Sequence, residues 1–143
     1  MSDSFFLDTN LFVYVFDPHA KGKAVQAERL IRNGIGTGKG IVSYQVVQEF
    51  YNVAFKKFVP PMSNEEAHAY FASVFRPLLG VMFSSALLLR AMGIREKVKI
   101  AWYDALIVAA AIESKCKTLY SEDLEHESEI EGVRIRNPFL LTN

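Results

Sequence analysis

The chain has 143 residues and a mass of 16.1 kDa, which suits one domain with one hydrophobic core. Half of it is hydrophobic and 13% aromatic, and 16 Lys and Arg balance 16 Asp and Glu for a formal charge of zero. That balance argues against intrinsic disorder and against bulk electrostatic adhesion to nucleic acid, so a bound polyanion must be held by a local patch or a metal. A single cysteine, Cys116, makes neither an internal disulfide nor a thiolate zinc site and points to a reducing compartment, the cytoplasm.

The chain reads as a single domain over residues 1–143, with no repeat, low-complexity tract or linker. Its start lacks a basic region and a signal core. The uncharged stretch from Pro77 to Leu89 is shorter than the ~18 residues needed to cross a bilayer, so a soluble protein without membrane association is expected.

Ser4 to Leu7 reads as a short buried strand ending in the polar triplet Asp8, Thr9, Asn10, where a helix begins. Lys21 to Asn33 has Ala24, Ala27, Leu30 and Ile31 at helical spacing, with Gly34 as its stop. Gly40 to Val42 makes a second strand. Ser43 caps a helix running to about Phe58, with Val46, Phe50, Val53 and Ala54 on one apolar face, and Pro60 with Pro61 ends it. Ser63 or Asn64 caps the next helix, which ends near Pro77. Leu78 to Phe83 is strand-like and Ser84 to Met92 helical. Trp102 to Ser114 contains the apolar run Ala105 to Ile112 and predicts a helix buried on nearly every side. Thr118 to Tyr120 and Val133 to Ile135 are late strands. Alternating strands and helices imply a three-layer α/β/α sandwich with a mostly parallel sheet, whose ligands sit beyond the carboxyl ends of the strands.

Few residue groups offer chemistry. His19, His68 and His126 are scattered, with no zinc-binding spacing, and read as surface histidines. The stretch Gly34 to Gly40 lacks the spacing of a phosphate loop and precedes a strand, so it reads as a helix stop and a flexible turn. Cys116 has no evident base partner and reads as packed.

Four carboxylates stand out by position. Asp8 emerges at the sheet's carboxyl edge, Glu49 borders the apolar face of its helix, Asp104 opens the most hydrophobic helix, and Asp123 follows the fourth strand. Singly, Asp8 and Asp104 suit helix caps, Asp123 a turn and Glu49 a solvated surface. Together on one edge of a parallel sheet they would repel one another and raise each other's pKa unless a cation neutralised them. Mg²⁺ or Mn²⁺, which prefer hard oxygen ligands, are the natural partners.

Five segments taken together resemble PIN-domain ribonucleases, most closely the VapC-type toxins of toxin-antitoxin pairs: Phe5-Phe-Leu-Asp-Thr-Asn10, Ser43 to Phe50, Trp102-Tyr-Asp-Ala-Leu-Ile107, Tyr120-Ser-Glu-Asp-Leu124 and Asn137-Pro-Phe139. The resemblance implies that Asp8, Glu49, Asp104 and Asp123 form an acidic quartet holding Mg²⁺ or Mn²⁺. It also implies that Thr9 and Ser121 support the quartet through their hydroxyls and that Asn10 fixes the loop after the first strand. It further implies a metal-dependent endoribonuclease leaving 5′-phosphate and 3′-hydroxyl ends, with RNA as substrate, a small antitoxin as partner and a homodimer as assembly.

The pattern departs from close relatives of that family in one segment, where six acids fall within Glu122 to Glu131 and a glycine is missing. The segment reads as a solvated acidic loop. It leaves Glu122 as a competitor to Asp123 at the metal, with Asp123 preferred for its spacing from Ser121. Arg90, Arg95, Lys97 and Lys99 lead into Trp102 and read as a cationic loop, a candidate for gripping phosphates while Trp102 stacks a base; Lys56 and Lys57 are weaker candidates. Tyr51, Phe55, Phe58, Tyr70, Phe71 and Phe75 exceed the needs of one small core; most are expected to pack inside, others to form a dimer face or an antitoxin groove. The alternatives are a catalytically idle PIN scaffold that binds RNA or protein and, from another class, a receiver domain, which would need an acid in Leu78 to Phe83 that is missing.

Overall fold

The computed structural model describes residues 3–140. Its centre is β1 (Phe5–Leu7), in which all three residues are buried. An apolar run without alternation suits a parallel strand covered on both faces. β1 pairs in parallel with β2 (Gly40–Ser43) on one side and with β4 (Thr118–Tyr120) on the other. β3 (Leu79–Val81) extends the sheet beyond β2, and β6 (Val133–Arg136) extends it beyond β4, both in parallel. A short strand, β5 (Glu129–Ile130), closes one edge antiparallel to β6, giving the order β3-β2-β1-β4-β6-β5. The chain thus leaves β1 toward one side and returns to lay β4 on the other. The carboxyl ends of β1 and β4 form a topological switch point, where such sheets leave a crevice for ligands.

Helices flank this sheet to complete the expected three-layer α/β/α sandwich. α1 (Thr9–Val15) packs on α2 (Lys21–Thr37) and on α3 (Tyr44–Lys56). α4 (Asn64–Tyr70) begins at Ser63, which forms a capping box with Glu66. It continues through a π-helical turn at Phe71–Phe75 into a last turn, α5 (Arg76–Leu78), that contains Pro77. The helix passes the expected end near Pro77 by one residue. Proline removes an i→i−4 hydrogen bond, and a widened turn just ahead of it accommodates the ring. α6 (Ser85–Val98), capped by Ser84, packs against α7 (Trp102–Glu113). Ala105 to Ala111 are all buried in α7, as the apolar run implied.

Two boundaries differ from expectation for physical reasons. α2 runs past Gly34 to Thr37 and stops at Gly38, whose φ of 72° is the left-handed conformation of a helix end. Gly34 is instead a close-approach residue: a Cβ there would stand 3.0 Å from the Cα of Gly40, and a Cβ on Gly40 would stand 2.6 Å from the Cα of Gly34. The glycine-rich stretch is therefore a helix seated on a strand, with only its Gly38 turn left-handed. α6 extends to Val98, not Met92, and ends at Lys99 in the left-handed region, so Arg90, Arg95 and Lys97 are helical and do not form a loop.

Phe75 is fully buried, and Tyr51, Phe58, Tyr70 and Phe71 pack against the core with partial exposure, while Phe55 is 43% exposed. Most of the surplus aromatics are thus core, in a cluster joined by ring contacts around Phe50. Cys116 is buried and free. No helix among the described residues is long and apolar enough to cross a membrane.

The glycine contacts set opposite signs for two alanine substitutions. Gly40→Ala should destabilise by ~2–3 kcal/mol because strand and helix must separate. Gly36→Ala, where an added methyl meets nothing within 4 Å, should stabilise by up to ~1 kcal/mol. Thermal unfolding of the two variants tests the pair.

Candidate active site

Asp8 stands where β1 ends. Its backbone N–H donates to the Tyr120 carbonyl (3.1 Å), tying it to the end of β4. Its carboxylate accepts from the Thr9 N–H (2.7 Å), so it caps α1, and from the Ser121 hydroxyl (2.8 Å). Only 6% of Asp8 is exposed. Burial pushes its pKa up to about 7, against the lowering pull of those two hydrogen bonds and with help from the charges of Asp123 and Glu49. Asp8 therefore both caps the helix and lines the site.

The remaining acids are set by the elements around the switch point. Glu49, on α3, accepts from the Thr9 hydroxyl (2.7 Å) and from the buried Gln45 amide (3.0 Å). Gln45 also donates to the Tyr103 carbonyl (3.3 Å), which joins α3 to the first turn of α7. Asp104 is the third residue of α7, whose N-cap is Ala101 without a side-chain bond, so Asp104 is not the cap. A first-turn carboxylate is favoured by the helix dipole. Asp123 accepts from the Asn10 amide (3.2 Å), and its own N–H donates to the Ser121 hydroxyl (3.2 Å). Burial raises the pKa of Asp104, with Asp123 and Glu49 adding to the rise; burial also raises that of Asp123, with Glu122 and Glu49 adding.

Asp8, Glu49, Asp104 and Asp123 together line a cleft of ≈ 330 Å³, with Thr9, Asn10 and Tyr103 among its walls. They are spread around it: among the described residues no three His, Cys, Asp or Glu side chains are gathered closely enough to hold an ion as they stand. The donor set nevertheless fits a hard divalent cation. Every acid in the cleft is an oxygen donor, and a positive charge there would relieve the repulsion among Asp8, Asp104, Asp123 and Glu49.

Glu122 turns away from the cleft. Its carboxylate takes the Tyr14 hydroxyl and the Lys23 ammonium. Burial alone would raise its pKa, but Lys23 and Tyr14 hold it below the usual range. The acidic segment is also more paired than a solvated loop: Glu127 meets Arg134 and Arg136, Glu129 meets Arg134, and Glu131 meets Arg90. His126 is half-buried and accepts from the Asn137 N–H (2.9 Å), a structural role, while Asn137 in turn accepts from the Phe139 N–H (2.9 Å).

The cationic candidates divide. Arg90 pairs with Glu113 at the last residue of α7, about 13 Å along that helix from Asp104. Arg95, Lys97 and Lys99 are exposed at the end of α6 that leads into α7. Trp102 is half-buried against the core, and the ring that lines the cleft is Tyr103, 64% exposed. Trp102 is not among the residues that line the cleft. Gln45, Tyr103, Tyr14 and Lys23 escaped the sequence reading. Gln45 alone carried a local signal, since it precedes Glu49 by one helical repeat.

The PIN-domain family model matches residues 5–128. The chain belongs to the PIN-domain family. Solved structures with this fold include a toxin-antitoxin complex from Klebsiella pneumoniae (TM-score 0.70, 17% identity, covering 94% of this chain and 98% of that one). Another is VapBC2 from Rickettsia felis bound to a promoter DNA fragment (0.61, 18%, 92% and 96%). A third is the sarcin-ricin-loop-cleaving toxin VapC20 from Mycobacterium tuberculosis (0.60, 17%, 84% and 90%). No curated protein sequence matches. At these identities the likeness is one of fold.

Asp8 makes this PIN domain's stability depend on pH in a definite direction. The folded carboxyl binds its proton more tightly than the unfolded one, so its burial costs little below pH 3.8 and the full amount above about 7. Without metal, stability should fall as pH rises through that window, by an amount on the order of 4 kcal/mol if the whole shift is expressed. Asp8→Asn, which retains a capping oxygen, should remove most of this slope. Denaturant unfolding at pH 4 and pH 8 in chelator measures it.

Proposed function

We propose that this PIN domain is a metal-dependent endoribonuclease that hydrolyses RNA phosphodiester bonds and serves as the toxin of a VapBC-type pair. The supporting observation is the arrival of Asp8, Glu49, Asp104 and Asp123 in one cleft at the switch point of the sheet, with Asp8, Asp104 and Asp123 raised in pKa by burial and by the charge of neighbouring carboxylates. Such a cleft attracts divalent cations and is otherwise hostile to phosphate. Mg²⁺ or Mn²⁺, when bound, would lower the pKa of water and stabilise the leaving oxygen.

In this reading Asp8 and Asp104 are the principal holders, because β1 and α7 are the most buried elements. Glu49 and Asp123 orient the attacking water as acceptors. Thr9 and Gln45 hold Glu49 in place; Ser121 and Asn10 do the same for Asp8 and Asp123. Attack by water gives 5′-phosphate and 3′-hydroxyl ends. Arg95, Lys97 and Lys99 contact phosphates on the α7 side, Tyr103 stacks a base beside Asp104, and Arg90 and Trp102 contribute less.

An antitoxin partner is supported by the fold's likeness to toxin-antitoxin complexes. A cytoplasmic homodimer completes the reading, with Met82, Phe83, Leu89 and Met92, all exposed and apolar, as side chains for a second copy to cover.

Incubation of single-stranded and structured RNA with the protein and Mg²⁺ or Mn²⁺ should give cleavage that stops in chelator. Asp8→Asn and Asp104→Asn should abolish it while circular dichroism stays unchanged. Thr9→Val, which frees Glu49, should weaken Mn²⁺ binding by calorimetry about 10–100-fold. Undiminished cleavage in chelator or in both Asp variants excludes this mechanism.

A further inference from the structure

Beside the carboxylate cleft lies a larger cavity of ≈ 780 Å³. We propose that it is a nucleobase pocket, which receives the base of a nucleotide neighbouring the scissile bond and favours amino-bearing bases over uracil. The proposal rests on the nuclease reading and names how that site selects its RNA.

Continuity is the first support. Val53 lines both the carboxylate cleft and this cavity. On α3, Val53 lies about 6 Å beyond Glu49, and Lys57, which caps the end of the helix, about 12 Å beyond it. A strand threaded past the carboxylates therefore carries its next base over the cavity. Lys57, also a lining residue, supplies positive charge for a phosphate.

The walls combine two chemistries. Phe16, Phe58 and Tyr70 offer rings, with the Phe16 centroid 5.2 Å from each of the other two. Phe16 keeps 38% of its surface exposed, an apolar ring that folding has not covered, and every base has a face to stack on it. Asp17, half-buried, and Glu66, exposed, also line the cavity. Each has one oxygen engaged by a backbone N–H, from His19 and Ser63 respectively, at 2.9 Å. Such anchoring orients the carboxylate and leaves its second oxygen as an acceptor. Amino groups of guanine, adenine and cytosine donate to it, as cytosine does to Asp and Glu in DNA grooves. Uracil presents two carbonyl oxygens around a single N–H and is disfavoured. An apolar protein helix seated here would cover the half-buried Asp17 without pairing it, whereas a flat heterocycle with a polar edge meets both chemistries.

The test uses single-stranded oligonucleotides whose cleavage point has been mapped, with A, C, G or U placed in turn beside it. Cleavage is measured in Mg²⁺ or Mn²⁺, and binding by fluorescence anisotropy in chelator, for the full chain and for Phe16→Leu and Asp17→Asn. Asp104→Asn serves as the separate control on the nuclease reading. Phe16→Leu should raise KM, and weaken binding in chelator, about tenfold, with kcat changed less than about twofold. Asp17→Asn, whose remaining oxygen still accepts from the His19 N–H, should narrow the preference for amino-bearing bases. Should Phe16→Leu fail to fold, the base preference of Asp17→Asn decides alone. If Asp104→Asn abolishes cleavage while both cavity variants keep the parent KM, binding and base preference, the nuclease reading stands and the pocket assignment falls. Variants that treat RNA as the parent does but no longer bind the antitoxin overturn it too, in favour of a protein segment.

Discussion

Everything in this molecule is organised around a carboxylate taken out of water at the end of its central strand. Asp8 is walled in by the layers that cover β1, and the groups that reach it are a backbone N–H, a hydroxyl and the fields of two further acids. No ammonium or guanidinium among the described residues offsets it. Charge buried without a counter-ion costs several kcal/mol, and a natural fold keeps such a cost where function needs it. The Thr9–Glu49, Gln45–Glu49, Ser121–Asp8 and Asn10–Asp123 bonds surround that deficit with oriented acceptors instead of cancelling it.

Why this edge of the sheet, and not another, follows from topology. Because β1 has β2 on one side and β4 on the other, the connections that follow them diverge, and the space between is bounded by α1, α3, α7 and the segment after β4. Side chains from four distant parts of the chain arrive there without any of those elements having to be irregular. The close contact of Gly34 with Gly40 seats α2 on β2 and thereby fixes the helix that carries Lys23 to Glu122. The same helix thus gives Glu122 its partner, while Asp123 is held by Asn10 and Ser121.

The sheet, the helices and the positions of the acids were legible because each leaves a local mark. β1 is an apolar run cut short by polar residues, α7 an apolar run too long for a strand, and Ser43, Ser63 and Ser84 are caps where caps were needed or available. Helix ends were less legible where a glycine had two uses. Gly34 read as a stop because sequence alone does not distinguish a glycine needed for backbone freedom from one needed for lack of a side chain. The destination of Glu122 was hidden for a different reason: its partners lie 99 and 108 residues away, and only the folded chain brings an ammonium and a phenol to it. Trp102 and Tyr103 were not distinguishable in the sequence, and the fold packs the first against the core and leaves the second at the cleft.

The ion pairs of Arg90 with Glu113 and Glu131 lead to one more consequence. They neutralise the middle of α6 and leave an excess of positive charge at its carboxyl end, where Arg95, Lys97 and Lys99 outnumber Glu96. A protein whose formal charge sums to zero thereby acquires a lopsided field. A flexible polyanion diffusing nearby feels torque before it feels attraction, and its orientation on arrival is set by geometry, with little dependence on the overall electrostatic balance.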